Sequence, residues 1–518
     1  MNLPSIAIHL HHNASIAVYD ANDIICVIET ERLVGLKNAS LEFFEPIHAK
    51  DFVLEAAYNY LKEKFSYTKY DKFIIGEGYG EFPQKYKDII PANEYIIDKT
   101  HHGSHASNSL YQSPYDKAII ISFDGGSNDG WFEIFLGEKG QPLTNIKHVS
   151  LDLGSHYHVF GALCEEIKHY HVLSAAGKVL GLQSYGKVIK EWKPAIKKFF
   201  NHVPYWHELD QRIAVMSQEI GIKFSKTEKL SGELSYNLTR TMQEVFEDLF
   251  FENAHDSIMS HKDLPIILTG GCALNITLNT LVKQRYNRDV FIAPNSSDCG
   301  LPVGLLCNYF KPTKIIDVTY KGIEPLDKHC ILEYVNSRNG KRANIQEIVE
   351  DLYQNRIVGV VQGRSEHGPR ALGNRSIICS PLSSNMKDIL NAKVKHREWY
   401  RPFAPIVRLD DVSEYFEWEG ESRWMNFCVG VKPQYTDRLL AVTHVDKTAR
   451  IQTVTREQNP FMYDMLTAFK NRTGVGVLVN TSFNVDRKPI LSTYKDAFKV
   501  FDETQLDRLY LDGFYFVK

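Results

Sequence analysis

No run of apolar residues in the chain approaches the ~18 to 20 that a bilayer-crossing helix needs; runs such as 117–123 end quickly at charged or glycine-rich turns. No membrane partner is expected on that ground. There is no surplus of positive charge either, with 60 Lys and Arg against 63 Asp and Glu and a formal net charge of −3. An obligate nucleic-acid binder needs a basic excess to displace counterions from phosphates, so nucleic acid is not an expected partner. The start, MNLPSIAIHLHHNAS, lacks a basic stretch followed by a long apolar one, so no export signal is read and the expectation is cytoplasmic. The eight cysteines form no CxxC pair and read as free thiols in a reducing compartment. A GxxxxGK[ST] phosphate loop is missing, and Gly76-Glu77-Gly78-Tyr79-Gly80 lacks GxGxxG spacing and runs into Pro83, which argues against P-loop and Rossmann sites.

What is present is the composition of an ordinary globular chain, with 24% charged residues. At about 150 residues per domain, 518 residues give two to four domains. Strands are expected at 5–10, 14–19 and 23–30 and a helix at 50–65; strand, turn and strand recur at 117–123, 124–130 and 131–136. Two such openings suggest a duplicated ribonuclease-H-like unit, the plan of the actin-like and sugar-kinase ATPases. Residues 187–256 read as largely helical, best at 230–252 with Ser231 as N-cap, and strands return at 265–268 and 289–293. This density fades at 308–321, and a new series begins at Asn344, placing a domain boundary within 315–343.

The 20 histidines include three local concentrations, at 9–12, 101–105 and 156–171, which are the first places to look for chemistry. His101 and His105 are four apart and share a face if helical, which suits two ligands of one Fe(II), Mn(II) or Zn(II) ion; an exposed polar helix start reads the same way. Asp124 ends one strand and Asp298 follows another, at the strand ends where ligands converge in α/β sheets. Asp124-Gly125-Gly126 and Thr269-Gly270-Gly271 are turns whose backbone amides can approach a phosphate. Beyond the boundary, Gly368-Pro369-Arg370-Ala371-Leu372-Gly373-Asn374-Arg375 and the cationic, aromatic run from Lys393 to Arg401 offer guanidinium and ammonium donors, as does Arg450, with Asn480 to Asn484 adding hydroxyls and amides. Such a set fits a compact anion better than RNA, although a solvated basic helix has the same residue types.

Taken together, these pieces resemble one family, the O-carbamoyltransferases of the nodulation and antibiotic type (NodU/CmcH). In order they are His12-Asn13-Ala14-Ser15, Glu31-Arg32, HHGSHAS from His101, Asp124-Gly125, GKVLGL from Gly177, TGGCALN from Thr269, Asp298-Cys299-Gly300, GPRALGNRSI from Gly368, VKHREWYRPFAP from Val394 and VNTSFN from Val479. The resemblance implies an α/β chain with an actin-like (ASKHA) N-terminal domain over 1–340, which transfers the carbamoyl group and holds the metal. It also implies a YrdC-like α/β C-terminal domain over 341–518, with its KxR and SxN signatures at Lys395, Arg397, Ser482 and Asn484. The implied activity forms carbamoyl-adenylate from carbamoyl phosphate and ATP, then carbamoylates a hydroxyl of a small acceptor such as a sugar or secondary metabolite.

The resemblance also assigns residues. His101, His105, Asp124 and Asp298 would hold a divalent metal, Fe(II) first with Mn(II) or Zn(II) as alternatives, and Mg would accompany ATP. Arg370, Lys395, Arg397, Arg450, Ser482 and Asn484 would bind carbamoyl phosphate. Lys37, Asp124, Gly125, Gly126, Gly270, Gly271, Asn275 and Asp298 would contact nucleotide. His12, Lys395 and Arg397 would be catalytic, with a strand-end core histidine as the alternative reading of His12. A homodimer is allowed. The sequence departs from the family pattern at Ala176, at Gln183-Ser184, at Lys37-Asn38 and in the GGSNDG turn after Asp124. The rival readings are a tRNA threonylcarbamoyl-type modification enzyme and an actin-like ATPase or sugar kinase with an anion-sensing domain.

Overall fold

The computed structural model describes residues 3–37, 39, 50–76, 81–168, 170–201 and 206–518, so Asn38, His169 and residues 77–80 lie outside it. The chain forms two compact units, one of Met1–Ile75, Tyr79–Ile97 and Ile316–Lys518, the other of Gly76–Gly78 and Asp98–Ile315. These units differ from the single cut near residue 340 expected from sequence. The reason is hydrogen bonding inside the first unit: Val27 N–H donates to Lys321 O (2.8 Å), and Gly368 N–H donates to the Glu29 carboxylate (2.8 Å).

In the first unit, strands β1 (Ser5–His9), β2 (Ser15–Asp20), β3 (Asp23–Glu29), β4 (Tyr70–Gly76) and β5 (Ala92–Asp98) form a sheet of order β3-β2-β1-β4-β5. Ala21 and Asn22 close the β2–β3 hairpin at φ 48° and 64°, both positive as a type I′ turn requires. Helix α1 (Thr30–Val34) follows β3 directly. Ile6, Ile8, Ile16, Val18, Cys26 and Ile28 bury the period-2 apolar positions of these strands.

In the second unit, β6 (Lys117–Ser127), β7 (Gly130–Glu138), β8 (Thr144–Val149), β9 (Ile266–Thr269) and β10 (Val290–Phe291) lie in the order β10-β9-β6-β7-β8. Numbered by appearance, both five-stranded sheets read third, second, first, fourth, fifth. The duplicated ribonuclease-H-like plan of an actin-like fold is therefore present strand for strand. The remaining strands, β11 (Lys341–Arg342), β12 (Val358–Val361), β13 (Arg375–Cys379), β14 (Ala404–Arg408), β15 (Cys428–Gly430), β16 (Thr448–Arg450), β17 (Gln452–Val454), β18 (Val477–Ser482), β19 (Arg508–Leu511) and β20 (Phe514–Val517), belong to the first unit. They make an eight-stranded mixed sheet, β11-β20-β19-β12-β13-β18-β14-β17, and a β15-β16 ribbon, which is the expected C-terminal α/β region.

Among the helices of the second unit are α2 (His101–Gln112), α3 (Gly154–Val159), α4 (Glu233–Ser260), α5 (Ile276–Tyr286) and α6 (Leu301–Phe310). The expected Ser231 cap is replaced by a distant carboxylate: Gly232 N–H donates to Glu166 Oε1 (2.6 Å) and Ser235 Oγ donates to Glu166 Oε2 (2.8 Å). Gly232 turns the chain at φ 61°, so the residue before it cannot cap the helix. None of the eight cysteines is in a disulfide, and among the described residues no helix is long and apolar enough to cross a membrane.

Helices α2 and α6 cross at Gly304, where a Cβ would stand 1.9 Å from Ser104 O. No side chain fits there without moving helix backbone. Gly304→Ala is therefore expected to destabilise the protein by about 3 kcal/mol, the upper end for overpacking, as a lower urea midpoint with unchanged slope. Stability equal to wild type would contradict this packing.

Candidate functional site

Helix α2 supplies two imidazoles from consecutive turns, the end of β6 supplies Asp124, and the turn after β10 supplies Asp298. His105 Nε2 lies 3.1 Å from His101 Nε2, 3.3 Å from Asp124 Oδ2 and 3.5 Å from Asp298 Oδ1, and His101 Nε2 is 3.9 Å from that same Asp298 oxygen. One ligand atom from each of the four lies within 4.8 Å of the others. Donors at roughly 2.1 Å from a common ion stand about 3 to 4 Å apart, so two imidazoles and two carboxylates at these separations fit one divalent cation. Burial opposes charge on His105, but hydrogen bonds to Asp124 and Asp298 outweigh it and raise its pKa. Asp124 is pushed up by burial and by Asp298, yet the histidines hold it below the ordinary carboxylate range. The neighbouring His102 is different: burial and the two adjacent imidazoles push it down to about 4, and its Nδ1 meets Ser122 Oγ at 2.7 Å.

The glycine turns close around Asp124. Gly270 takes φ 89°, and a Cβ there would lie 2.2 Å from Phe123 O. Gly271 N–H donates to Asp124 Oδ2 and Gly125 N–H to Asp124 Oδ1, both at 2.6 Å. Parallel pairing of β6 with β9, Ser122 opposite Thr269, is what sets these two turns side by side. Asn275 has its side chain engaged: Oδ1 caps α5 through Leu278 N–H (3.1 Å), and Nδ2 donates to Gln243 Oε1 (3.0 Å). It therefore anchors the end of the 269–275 turn.

Asp152 was not among the sequence candidates. Oδ1 accepts Ser155 N–H (2.7 Å), and Ser155 Oγ donates to Gly125 O (2.5 Å), which ties this segment to the Asp124 turn. Burial first, and then the Asp124 charge, push the carboxyl of Asp152 up to about 6 despite the hydrogen bonds from Ser155. The histidines at 156–171 have structural roles where they are described. His156 Nδ1–H donates to Asp152 O (2.6 Å) while Nε2 accepts from Arg212 (2.7 Å), His158 bonds the Tyr170 hydroxyl (2.8 Å), and His171 caps the helix Val172–Leu182.

In the first unit a second set assembles from four segments. The loop 363–375 is organised by the buried Glu366, whose Oε1 accepts the N–H groups of Leu372 (2.6 Å), Asn374 (2.8 Å) and Arg375 (3.1 Å). Arg32, at α1, donates to the carbonyls of Glu366 and Gly368 and fixes the start of the same loop. That loop presents Arg370, and a π-helical turn, Leu390–Lys395, presents Lys395 just before His396 at φ 51°. Lys395 Nζ donates to Asn484 Oδ1 (2.6 Å), Asn484 O (2.7 Å) and Ser482 O (2.5 Å), so Lys395, Ser482 and Asn484 form one cluster. Arg397 Nε donates to Asn391 Oδ1 (2.8 Å), and its guanidinium lies 4.3 Å from the centre of the Phe403 ring.

Burial and mutual repulsion depress these cations. Arg370 is pushed well below the ordinary range by burial, Arg450 and Arg401; Arg397 by burial, Arg401 and Arg450; Lys395 by burial, Arg397 and Arg401; and Arg450 falls to about 10. Arg401 acts on all four. Its place in the motif from Val394 was visible, but nothing in the spacing marked it as central. Lys37 belongs to this unit, and its charge also bears on Lys395. His12 sits half-buried in the turn after β1.

The Asp152 geometry fixes a pH dependence. Below about pH 4 the group is protonated in both folded and unfolded chains; as pH rises from 3.8, the ordinary value, to about 6, only the unfolded chain loses the proton, so stability falls across this window. Asp152→Asn keeps the acceptor for Ser155 and should therefore stabilise the metal-free protein above pH 6 by up to about 3 kcal/mol. Urea unfolding of both proteins at pH 5 and pH 8 checks it, and a deficit of the variant at pH 8 would refute it.

Comparison with known proteins gives two family matches, Carbamoyltransferase N-terminus over residues 36–307 and Carbamoyltransferase C-terminus over residues 349–518. The chain is similar to the nodulation protein NolNO of Sinorhizobium fredii, at 30% identity over 98% of this chain and 79% of that one. It is also similar to the 3'-hydroxymethylcephem-O-carbamoyltransferase of Amycolatopsis lactamdurans, at 36% identity over 45% of each chain. Among solved structures, full-length HypF in its phosphate- and nucleotide-bound form aligns at a TM-score of 0.36 and 12% identity, covering 61% of this chain and 57% of that one.

Proposed function

This chain belongs to the carbamoyltransferase family, and from that premise we propose an ATP-dependent O-carbamoyltransferase that works in two stages at two sites. The observation that carries the reading is one of placement. The Arg370, Lys395, Arg397, Arg401 and Arg450 cluster falls inside the C-terminal family match, and the His101, His105, Asp124 and Asp298 set falls inside the N-terminal one.

At the first site, a YrdC-like region within 341–518, carbamoyl phosphate is dianionic and needs cations. Arg370, Arg401 and Arg450 would hold the phosphoryl oxygens, with Lys395 and Arg397 stabilising the charge that develops as phosphate leaves. Ser482 and Asn484 would orient the carbamoyl end. Water is consumed in releasing phosphate, the remaining carbamate oxygen bonds to the α-phosphorus of ATP, and pyrophosphate departs to leave carbamoyl-adenylate. Mg with the nucleotide and Lys37 nearby would offset the charge of the triphosphate.

At the second site, in the actin-like part of the chain, the turns at Gly125, Gly126, Gly270 and Gly271 would receive the adenylate through backbone amides. His101, His105, Asp124 and Asp298 would hold a divalent metal, Fe(II) or else Mn(II) or Zn(II). When bound, that ion supplies Lewis-acid polarisation. Transfer also needs a base for the proton of the acceptor hydroxyl, whose oxygen attacks the carbamoyl carbon as AMP leaves, and His12 is the residue we propose for that role. The acceptor we propose is a small hydroxyl compound, a sugar or secondary metabolite. In support, one similar protein is named for carbamoylating a hydroxymethyl group on a cephem. A cytoplasmic enzyme with no nucleic-acid partner, for which a homodimer is allowed, completes the reading.

Incubation with carbamoyl phosphate and ATP should release pyrophosphate and form carbamoyl-adenylate. Lys395→Ala should abolish that step, by a factor of about 10³ or more, since removing a charge from a developing-charge site costs several kcal/mol. His101→Ala should still form the intermediate yet fail to transfer a supplied one. ADP as product instead of pyrophosphate would sink the adenylate route, and failure of both variants at one step would sink the two-site division.

A further inference from the structure

Resting on the metal-site reading above, we propose that Asp129 is the positioning residue of that site: from the hairpin tip beyond Asp124, its carboxylate caps the helix bearing His101 and His105. It thereby sets the separation of the strand ligand from the helix ligands.

Helix α2 has no cap of its own. Thr100 stands at the N-cap position without a side-chain bond to the helix, because its hydroxyl donates to Asp98 Oδ1 (2.6 Å) and its N–H to the same oxygen (2.9 Å). The free N–H of His102 instead meets Asp129, at 3.0 Å from Oδ2 and 3.3 Å from Oδ1. This is where a local cap would act, but the acceptor comes from 27 residues further along the chain. A carboxylate at a helix N-terminus also complements the helix dipole.

The cap is one hook of a two-residue clasp. Strands β6 and β7 pair Ser127 with Gly130, leaving Asn128 and Asp129 as the tip. Asn128 Nδ2 donates to Lys99 O (2.9 Å), on the last residue but one before the helix, and Ser127 Oγ donates to Asp129 Oδ1 (2.6 Å) and orients it. Lower on the same strand, Ser122 Oγ meets His102 Nδ1 at 2.7 Å. Helix and strand are thus tied on both sides of Asp124. The distance of 3.3 Å between His105 Nε2 and Asp124 Oδ2 depends on that tie. The GGSNDG turn, a departure from the family pattern, then has a definite task.

Co(II) serves as the probe, because its visible absorption reports both affinity and ligand geometry. Wild type should bind one Co(II), and His105→Ala should lose it. Asp129→Ala should bind about tenfold more weakly with an altered band, as partners behind metal ligands do, whereas Asp129→Asn, which retains an acceptor oxygen, should stay close to wild type. A merely structural role for Asp129 would lower the melting temperature and leave the band unchanged. If Asp129→Ala does not fold, Asn128→Ala, which removes the other hook, should still shift the Co(II) affinity by a few-fold. An affinity and band identical to wild type in Asp129→Ala, or in Asn128→Ala if only that variant folds, would overturn the inference and leave the metal site standing. If His105→Ala retains full affinity, the metal reading fails and this inference falls with it.

Discussion

Holding like charges together out of water opposes folding, and this chain does so twice. In the second unit, two carboxylates, Asp124 and Asp298, share a pocket of imidazoles, and each raises the cost of ionising the other. In the first unit, burial and neighbouring cations, Arg401 among them, depress the basicity of Arg370, Lys395, Arg397 and Arg450, with Glu398 and Asp486 as the acids that temper Arg397. Neither arrangement is explained by stability, since surface ion pairs with individual partners would be cheaper. Both arrangements suit the ligands of opposite sign proposed above, a divalent cation in one case and a phosphorylated substrate in the other.

What keeps such groups in place is backbone, and glycine is the means. Gly270 lets the turn after β9 touch Phe123 O, and Gly304 lets α6 lie on Ser104 O. The first contact fixes Asp124 against Gly271, and the second fixes the helix that follows Asp298 against the helix carrying His105. In the first unit the same service is performed by charge: Glu366, buried and accepting three backbone N–H groups, shapes the loop that presents Arg370, and Arg32 clamps its carbonyls. Replacing those backbone contacts with flexible side-chain packing would leave the like-charged groups free to move apart.

Much of this was legible in the sequence because it is local or periodic. The strand pattern revealed the duplication, HxxxH on one helix face revealed the imidazole pair, and the acids at strand ends, Asp124 and Asp298, followed from the general behaviour of α/β sheets. The parts that escaped are made by residues remote in sequence. Glu166 replaces Ser231 as the cap of α4, and no local pattern near residue 232 could announce it. Asp152 lies between Leu151 and Leu153 and belongs to no motif, yet its oxygen accepts the Ser155 N–H of α3. Arg401 follows a π-turn and a left-handed residue, so no helical or strand period connects it with Arg397. The histidines at 156–171 drew attention by number, but ring nitrogens of His156, His158 and His171 are engaged by the Asp152 carbonyl, Arg212, the Tyr170 hydroxyl and the Leu173 N–H.

The duplication itself bears on the catalytic assignment that rests on the least geometry. In the second copy, the irregular stretch near the end of the first strand, where its pairing with β7 shifts register after Phe123, holds Asp124, Gly125 and Gly126, the groups proposed above for metal and nucleotide. In the first copy, the turn after the first strand runs from Leu10 through His11 and His12 to Asn13, whose φ is 57°. Two sheets of the same strand order place these segments at corresponding ends of their first strands, the carboxyl end of a strand flanked by one antiparallel and one later strand. At such a position backbone amides and side chains point beyond the sheet, so a residue there is poorly placed for core packing and well placed for a ligand. The half-buried His12 in that turn is therefore compatible with the proton-accepting role proposed above, and the apolar core positions beside it are filled by Ile6, Ile8 and Leu10.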